Sequence, residues 1–123
     1  AMERLREPIG RDEARVLPPV SRPELPDYLS AADCVVIPSL SEGFGLSAAE
    51  ACAMGCTVVA TTGGSLPEVV SGRCLLVPPR DSTAISDAVA KVAEGKVVDL
   101  PPHDFSWQRT VDQHIRVYES LTS

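Results

Sequence analysis

Residues 34–60 read CVVIPSLSEGFGLSAAEACAMGCTVVA, and the layout of this stretch decides the fold. Cys34-Val35-Val36-Ile37 is a continuous apolar run of strand length, stopped by Pro38. A strand buried on both faces has this appearance. A loop follows over residues 39–44. Leu46 to Met54 is rich in alanine and predicts a helix, with Gly55 as its C-terminal stop. Thr57-Val58-Val59-Ala60 is again β-branched and apolar. Strand, helix and strand in this order build a parallel α/β sheet.

The same alternation extends outward. Upstream, Arg15-Val16-Leu17 reads as a short strand ended by Pro18-Pro19. Ser21-Arg22-Pro23-Glu24 is a capping-box pattern, and Pro23 and Pro26 suit a first helical turn. Leu25, Tyr28, Leu29 and Ala32 form the apolar face of that helix. Downstream, Thr61-Thr62-Gly63-Gly64 is a loop, and Ser65-Leu66-Pro67-Glu68 is a second capping box opening a short helix closed by Gly72. Cys74-Leu75-Leu76-Val77 is a further strand, ended by Pro78-Pro79. Asp81 is placed to cap a helix running to about Glu94, with Ile85, Ala88, Val89 and Val92 on one face. Gly95 stops it. Residues 96–105 read as a linker. Ser106 caps a last helix whose stripe of Trp107, Val111, Ile115 and Tyr118 reads as core packing. The fold class expected is α/β: a parallel sheet of about four strands with flanking helices.

Composition sets the limits. The chain has 123 residues, enough for one domain at most. Its 44% hydrophobic and 23% charged residues are those of a globular chain rather than a disordered one. A net charge of −6 argues against nucleic acid or an anionic membrane as a bulk partner, because both recruit basic surfaces. A small anion held by backbone amides is still compatible. No apolar run approaches the roughly 20 residues of a membrane span, and no signal-peptide pattern is visible. Residues 1–14 read as an N-terminal extension or a remnant of cloning. Cys34, Cys52, Cys56 and Cys74 form no Cys-x-x-Cys, and His103 and His114 are distant in sequence. The cysteines are expected to be reduced and core-packing rather than metal ligands.

The stretch Ser41 to Glu50 carries the chemistry. Gly43 and Gly45 flank Phe44 just before a helix start, where the backbone can come close to a ligand. The free N–H groups there and the helix dipole suit a phosphate. Glu50, inside the helix, would accept from vicinal hydroxyls, and Glu42 would reach a second polyol. Amides for a diphosphate and a carboxylate for a ribose together describe a nucleotide. Pattern alone leaves a plainer reading open, with Glu50 a solvated helix residue and Glu42 an ordinary loop residue. The loop lacks a convincing third fingerprint glycine and lies mid-chain, so an NAD-type dinucleotide site is disfavoured.

Glu42 and Glu50, spaced around Gly-Phe-Gly-Leu, resemble the signature of glycosyltransferase family four. Leu25-Pro26-Asp27-Tyr28-Leu29-Ser30-Ala31-Ala32-Asp33 resembles the helix that precedes it in that family. Gly55 to Thr61 is similar to its next strand, Gly63 to Val70 to its following loop, and Phe105-Ser106-Trp107 to the start of its terminal helix. The resemblance covers residues 15–121 and identifies residues 15–123 as part of a nucleotide-sugar-binding domain, and it implies that the sheet is a partial doubly wound, Rossmann-like one. It implies a retaining glycosyltransferase of the hexosyltransferase class, using a nucleotide diphosphate sugar and an acceptor of unknown kind (sugar, lipid or small molecule). It implies no metal and no cofactor, and a cytoplasmic setting that touches the membrane where the acceptor is a lipid. Carried over by position, Glu50 accepts from the ribose, and Glu42 contacts the donor sugar as the catalytic-site carboxylate. Gly43, Phe44, Gly45 and Leu46 offer backbone N–H groups, and Pro19 and Val20 lie beside the base.

The chain also departs from the family. The upstream Arg and Lys that neutralise the diphosphate have no match among Arg4, Arg6, Arg11 and Arg15. The acceptor-binding domain has no counterpart. The piece alone is therefore expected to be inactive, and the alternative is a non-catalytic nucleotide- or sugar-binding or assembly module. In a doubly wound sheet of order 3-2-1-4-5-6, the four runs correspond to strands three to six. Cys34–Ile37 would then have an open edge, paired by Arg15–Leu17 or by a second copy in a homodimer.

Overall fold

The computed structural model describes residues 14–122. Along the chain come α1 (Leu25–Ala31), β1 (Val35–Ile37), α2 (Leu46–Ala53), β2 (Val58–Thr61), α3 (Leu66–Val69), β3 (Gly72–Val77), α4 (Ser82–Ala93), β4 (Val98–Leu100) and α5 (Trp107–Thr122). The strands form one sheet in the order β1-β2-β3-β4. β1, β2 and β3 are parallel, with Val35 opposite Val58 and Val58 opposite Cys74. β4 runs antiparallel to β3, placing Val98 opposite Cys74 and Leu100 opposite Gly72. The expected α/β class and the four-strand count hold, and the sheet is mixed.

β2 lies inside the sheet and is buried at every position. Its side chains alternate between two cores, as strand geometry requires. Val58 and Ala60 join Ala48 and Ala51 of α2, Leu66 and Val69 of α3, Val70 and Cys74 in one cluster. Val59 joins Val77 and Ala88 in the other, against Ile85 and Val92 of α4. The sheet is thus covered on both faces, which explains why β2 reads as an uninterrupted apolar run.

Several expectations are corrected. Arg15–Leu17 forms no strand, and Val16 and Leu17 are exposed. Pro18 and Pro19, which follow it, lack the N–H groups a ladder needs. Among the described residues, β1 therefore pairs with β2 alone, and Val36 is exposed rather than buried on both faces. The fourth strand is β4, inside the stretch read as a linker. Gly72 opens β3 instead of closing α3, which ends at Val69 with Val70 as its C-cap. The α5 stripe is not core: α5 has no buried residue, and Trp107 is 85% exposed. Apart from Ala14, the expected N-terminal extension lies outside the described residues, as do Arg4, Arg6 and Arg11.

Other local readings hold. Asp81 caps α4, its carboxylate accepting from the Ala84 N–H at 2.8 Å. Ser106 Oγ accepts from the Arg109 N–H at 3.3 Å at the start of α5. All four cysteines are free, with Cys74 buried and the others half-buried. Burial pushes the thiols of Cys34 and Cys74 up, as expected of inert, core-packed sulfur.

Candidate functional site

α2 begins on a glycine for a steric reason. Gly45 is its N-cap with φ 93°, and a Cβ there would sit 2.9 Å from Leu66 Cδ2. Any other residue would face both left-handed strain and a clash with the core. No side chain caps this helix end. The first intrahelical bond at this end runs from the Ala49 N–H to the Gly45 carbonyl at 3.0 Å. The amides of Leu46, Ser47 and Ala48 precede it and lack a partner within the helix; Leu46 and Ser47 are exposed to an outside acceptor, and Ala48 is buried. Gly43 is exposed and open around its Cα, and Phe44 and Leu46 are exposed as well. Ser39 and Glu42 of the loop are half-buried, and Gly45 is buried.

A second loop holds this one in shape. A Cβ on Gly63 would lie 2.6 Å from the Leu40 carbonyl oxygen, and one on Gly64 would lie 2.3 Å from that of Glu42. Both glycines therefore serve a close backbone approach. Ser65 was expected to cap α3, but its side chain caps nothing there. Its Oγ donates instead to the carbonyls of Phe44 at 2.7 Å and Glu42 at 3.1 Å, and its N–H donates to Glu42 O. Thr61 Oγ1 donates to the Ser39 carbonyl from the end of β2. The loop from Ser39 to Phe44 is thus pinned at Ser39, Glu42 and Phe44.

The two candidate carboxylates have different settings. Glu42 is half-buried and accepts from Ser39 Oγ at 2.6 Å. Glu50 is one helical turn beyond Leu46 and shares its face of α2. Its side chain is 38% exposed, and Oε1 lies 3.6 Å from the Arg22 guanidinium. Arg22 and Glu50 stand at a cavity of about 250 Å³ that is otherwise walled by Leu25, Pro26, Leu29, Ala53 and Met54. Nothing brings Glu42 and Glu50 into contact. Pro19 is exposed and Val20 half-buried, in the irregular segment that leads into the Arg22 turn.

Sequence reasoning missed two features. One is Arg22, whose place inside the Ser21–Glu24 pattern gives no sign that it reaches Glu50. The other is a cleft of about 520 Å³ between Phe44, Glu68 and the segment carrying His103, Asp104, Phe105 and Arg109. There Phe44 meets Phe105 edge-to-face, with ring centroids 5.2 Å apart. Nothing in the linker's composition signalled this contact. Among the described residues, no group of three His, Cys, Asp or Glu is placed to hold a metal ion. Nor is any helix among them long and apolar enough to cross a membrane.

Fold and loop together define a Rossmann-like α/β domain whose open helix end lies between two carboxylates. The sequence pattern of glycosyl transferases group 1 matches residues 1–94, and the chain belongs to that family. The D-inositol 3-phosphate glycosyltransferase of Saccharomonospora viridis is 39% identical over 117 aligned positions, covering 87% of this chain and 27% of the relative. Its counterpart from a Nocardioides species is 40% identical, covering 85% of this chain and 25% of the relative. Sucrose-phosphate synthase from Thermosynechococcus elongatus superimposes with a TM-score of 0.72 at 30% identity, over 98% of this chain and 33% of that one. The chain spans about a quarter of the length of these curated relatives.

Proposed function

We propose that this chain forms the donor-binding portion of a retaining glycosyltransferase of the hexosyltransferase class, acting on a nucleotide diphosphate sugar. The observation that carries the reading is the uncapped start of α2, where Gly45 is buried, Leu46 and Ser47 are exposed, and Glu42 and Glu50 stand on either side in sequence. In this reading the amides of Gly43, Phe44, Gly45 and Leu46 meet the sugar and the diphosphate. Glu50 accepts from the ribose hydroxyls, and Glu42 accepts from hydroxyls of the donor sugar. Pro19 and Val20 border the base. Charge grows on the leaving diphosphate during transfer, and oriented N–H dipoles stabilise it without reorganising. The acceptor is a sugar, a lipid or a small molecule. The setting is cytoplasmic, at a membrane surface where the acceptor is a lipid.

The chain alone is expected to bind without transfer, and the second reading is a module that binds a nucleotide or a sugar, or serves assembly, without catalysis. The two readings part on transfer to acceptor by the longest natural form of the protein, which only the first predicts.

The binding claim is tested by titrating the chain with UDP, GDP and ADP. Hydrogen bonds to a charged group contribute about 1.5–3 kcal/mol each, so Glu50→Ala should weaken the bound nucleotide by more than about tenfold. Equal affinities of the wild type and the variant would remove Glu50 as the ribose ligand. We also propose that the open edge of β1 pairs with a second copy of the chain.

A further inference from the structure

We infer that Arg22 is a positioning residue for Glu50, setting its carboxylate for the ligand and making nucleotide affinity sensitive to salt. The inference rests on the nucleotide reading of Glu50 and adds a residue to it. Glutamate is costly to order, because fixing its side chain loses rotamer freedom. A carboxylate already held in place spares the ligand that cost. Arg22 is the one cation paired with Glu50 among the described residues, at 3.6 Å.

The turn that carries Arg22 is built to hold it. The Ser21 carbonyl accepts from the N–H groups of Glu24 and Leu25, each at 3.1 Å. The Ser21 hydroxyl donates to the Glu24 carboxylate, and the Ser21 N–H donates to the same oxygen at 3.3 Å. Pro23 fixes φ immediately after Arg22. The guanidinium therefore projects from a backbone tied on both sides. It reaches Glu50 beside the apolar wall of Leu25, Pro26, Leu29, Ala53 and Met54. The Arg22 side chain is 87% exposed, so the contact contributes little to folding. Pairing leaves the carboxylate oxygens with lone pairs for hydroxyl donors, so Arg22 and a ribose can share Glu50.

The test is a double-mutant cycle on the full chain, with Arg22→Gln, Glu50→Ala and the double variant titrated with UDP, GDP and ADP at low and high salt. Arg22→Gln is expected to weaken the bound nucleotide about two- to fivefold at low salt, the scale of a partly screened ion pair. Arg22→Lys should recover part of that loss. The double variant should bind no more weakly than Glu50→Ala alone, because Arg22 acts through Glu50. The thermal midpoint of Arg22→Gln should match the wild type. An Arg22→Gln chain that binds as the wild type does, while Glu50→Ala binds weakly, overturns the inference and leaves the proposed function standing. Additive losses in the double variant also overturn it, since Arg22 would then touch the ligand directly. No binding of any nucleotide by the wild type overturns both.

Discussion

At Gly64 an added methyl group would sit 2.3 Å from the Glu42 carbonyl oxygen, whereas at Gly43 it would meet nothing within 4 Å. Gly64 also has φ 61°, a conformation that an L side chain adopts at a cost. Left-handed strain of about 1–2 kcal/mol and a backbone clash of similar size give Gly64→Ala an expected destabilisation of roughly 2–4 kcal/mol. Gly43→Ala should stay within about 0.5 kcal/mol of the wild type. Urea unfolding midpoints check both. A Gly64→Ala chain as stable as the wild type would mean that the loop backbone yields to the methyl group.

Ser21 and Glu24 show how a local motif can be legible in type and different in detail. In a capping box the serine hydroxyl accepts from the glutamate N–H. Here that N–H goes to the Ser21 carbonyl, and the hydroxyl donates to the Glu24 carboxylate. The side-chain hydrogen bond from Ser21, with help from its backbone N–H, holds the Glu24 carboxyl below its usual range. A lowered folded-state value means that the associated stability is present above the unfolded pKa. It is lost as pH falls through the folded one. Ser21→Ala should move the Glu24 titration upward, toward the ordinary glutamate value, in carbon-detected NMR. An unmoved titration would assign the depression to the backbone bond alone. Elements whose signals are local, such as α4 with Asp81 at its start and Gly95 at its end, could be read from residues alone. β4 could not, because Val98-Asp99-Leu100 is short, lies beside Pro101-Pro102, and becomes a strand only by pairing with Gly72–Cys74. The α5 stripe was legible as amphipathic, but periodicity carries no information about what covers it. At the site, the glycine loop and both carboxylates were visible in one short stretch. The contacts of Glu42 with Gly64 and of Glu50 with Arg22 join distant segments and were not.

The molecule as a whole combines a well-covered sheet centre with open margins. β2 is sealed on both faces, yet β1 has no partner on its outer side among the described residues. Such an edge offers unpaired N–H and C=O groups to another chain. The chain should therefore show concentration-dependent association by sedimentation, and Val36→Lys should shift it toward monomer. A wild type that stays monomeric at high concentration would remove the edge-pairing proposal. Margin and centre also differ in what a lesion would do. The hydroxyl of Ser65 reaches across 21 positions of chain to the Phe44 carbonyl, and Gly64 lies against Glu42. If the loop binds the donor as proposed, a saturation screen scored on nucleotide capture would thus flag Gly63, Gly64 and Ser65 as if they were contact residues. Their role is that of a mould: damage to it would be recorded as lost recognition, although the recognising atoms themselves were left intact.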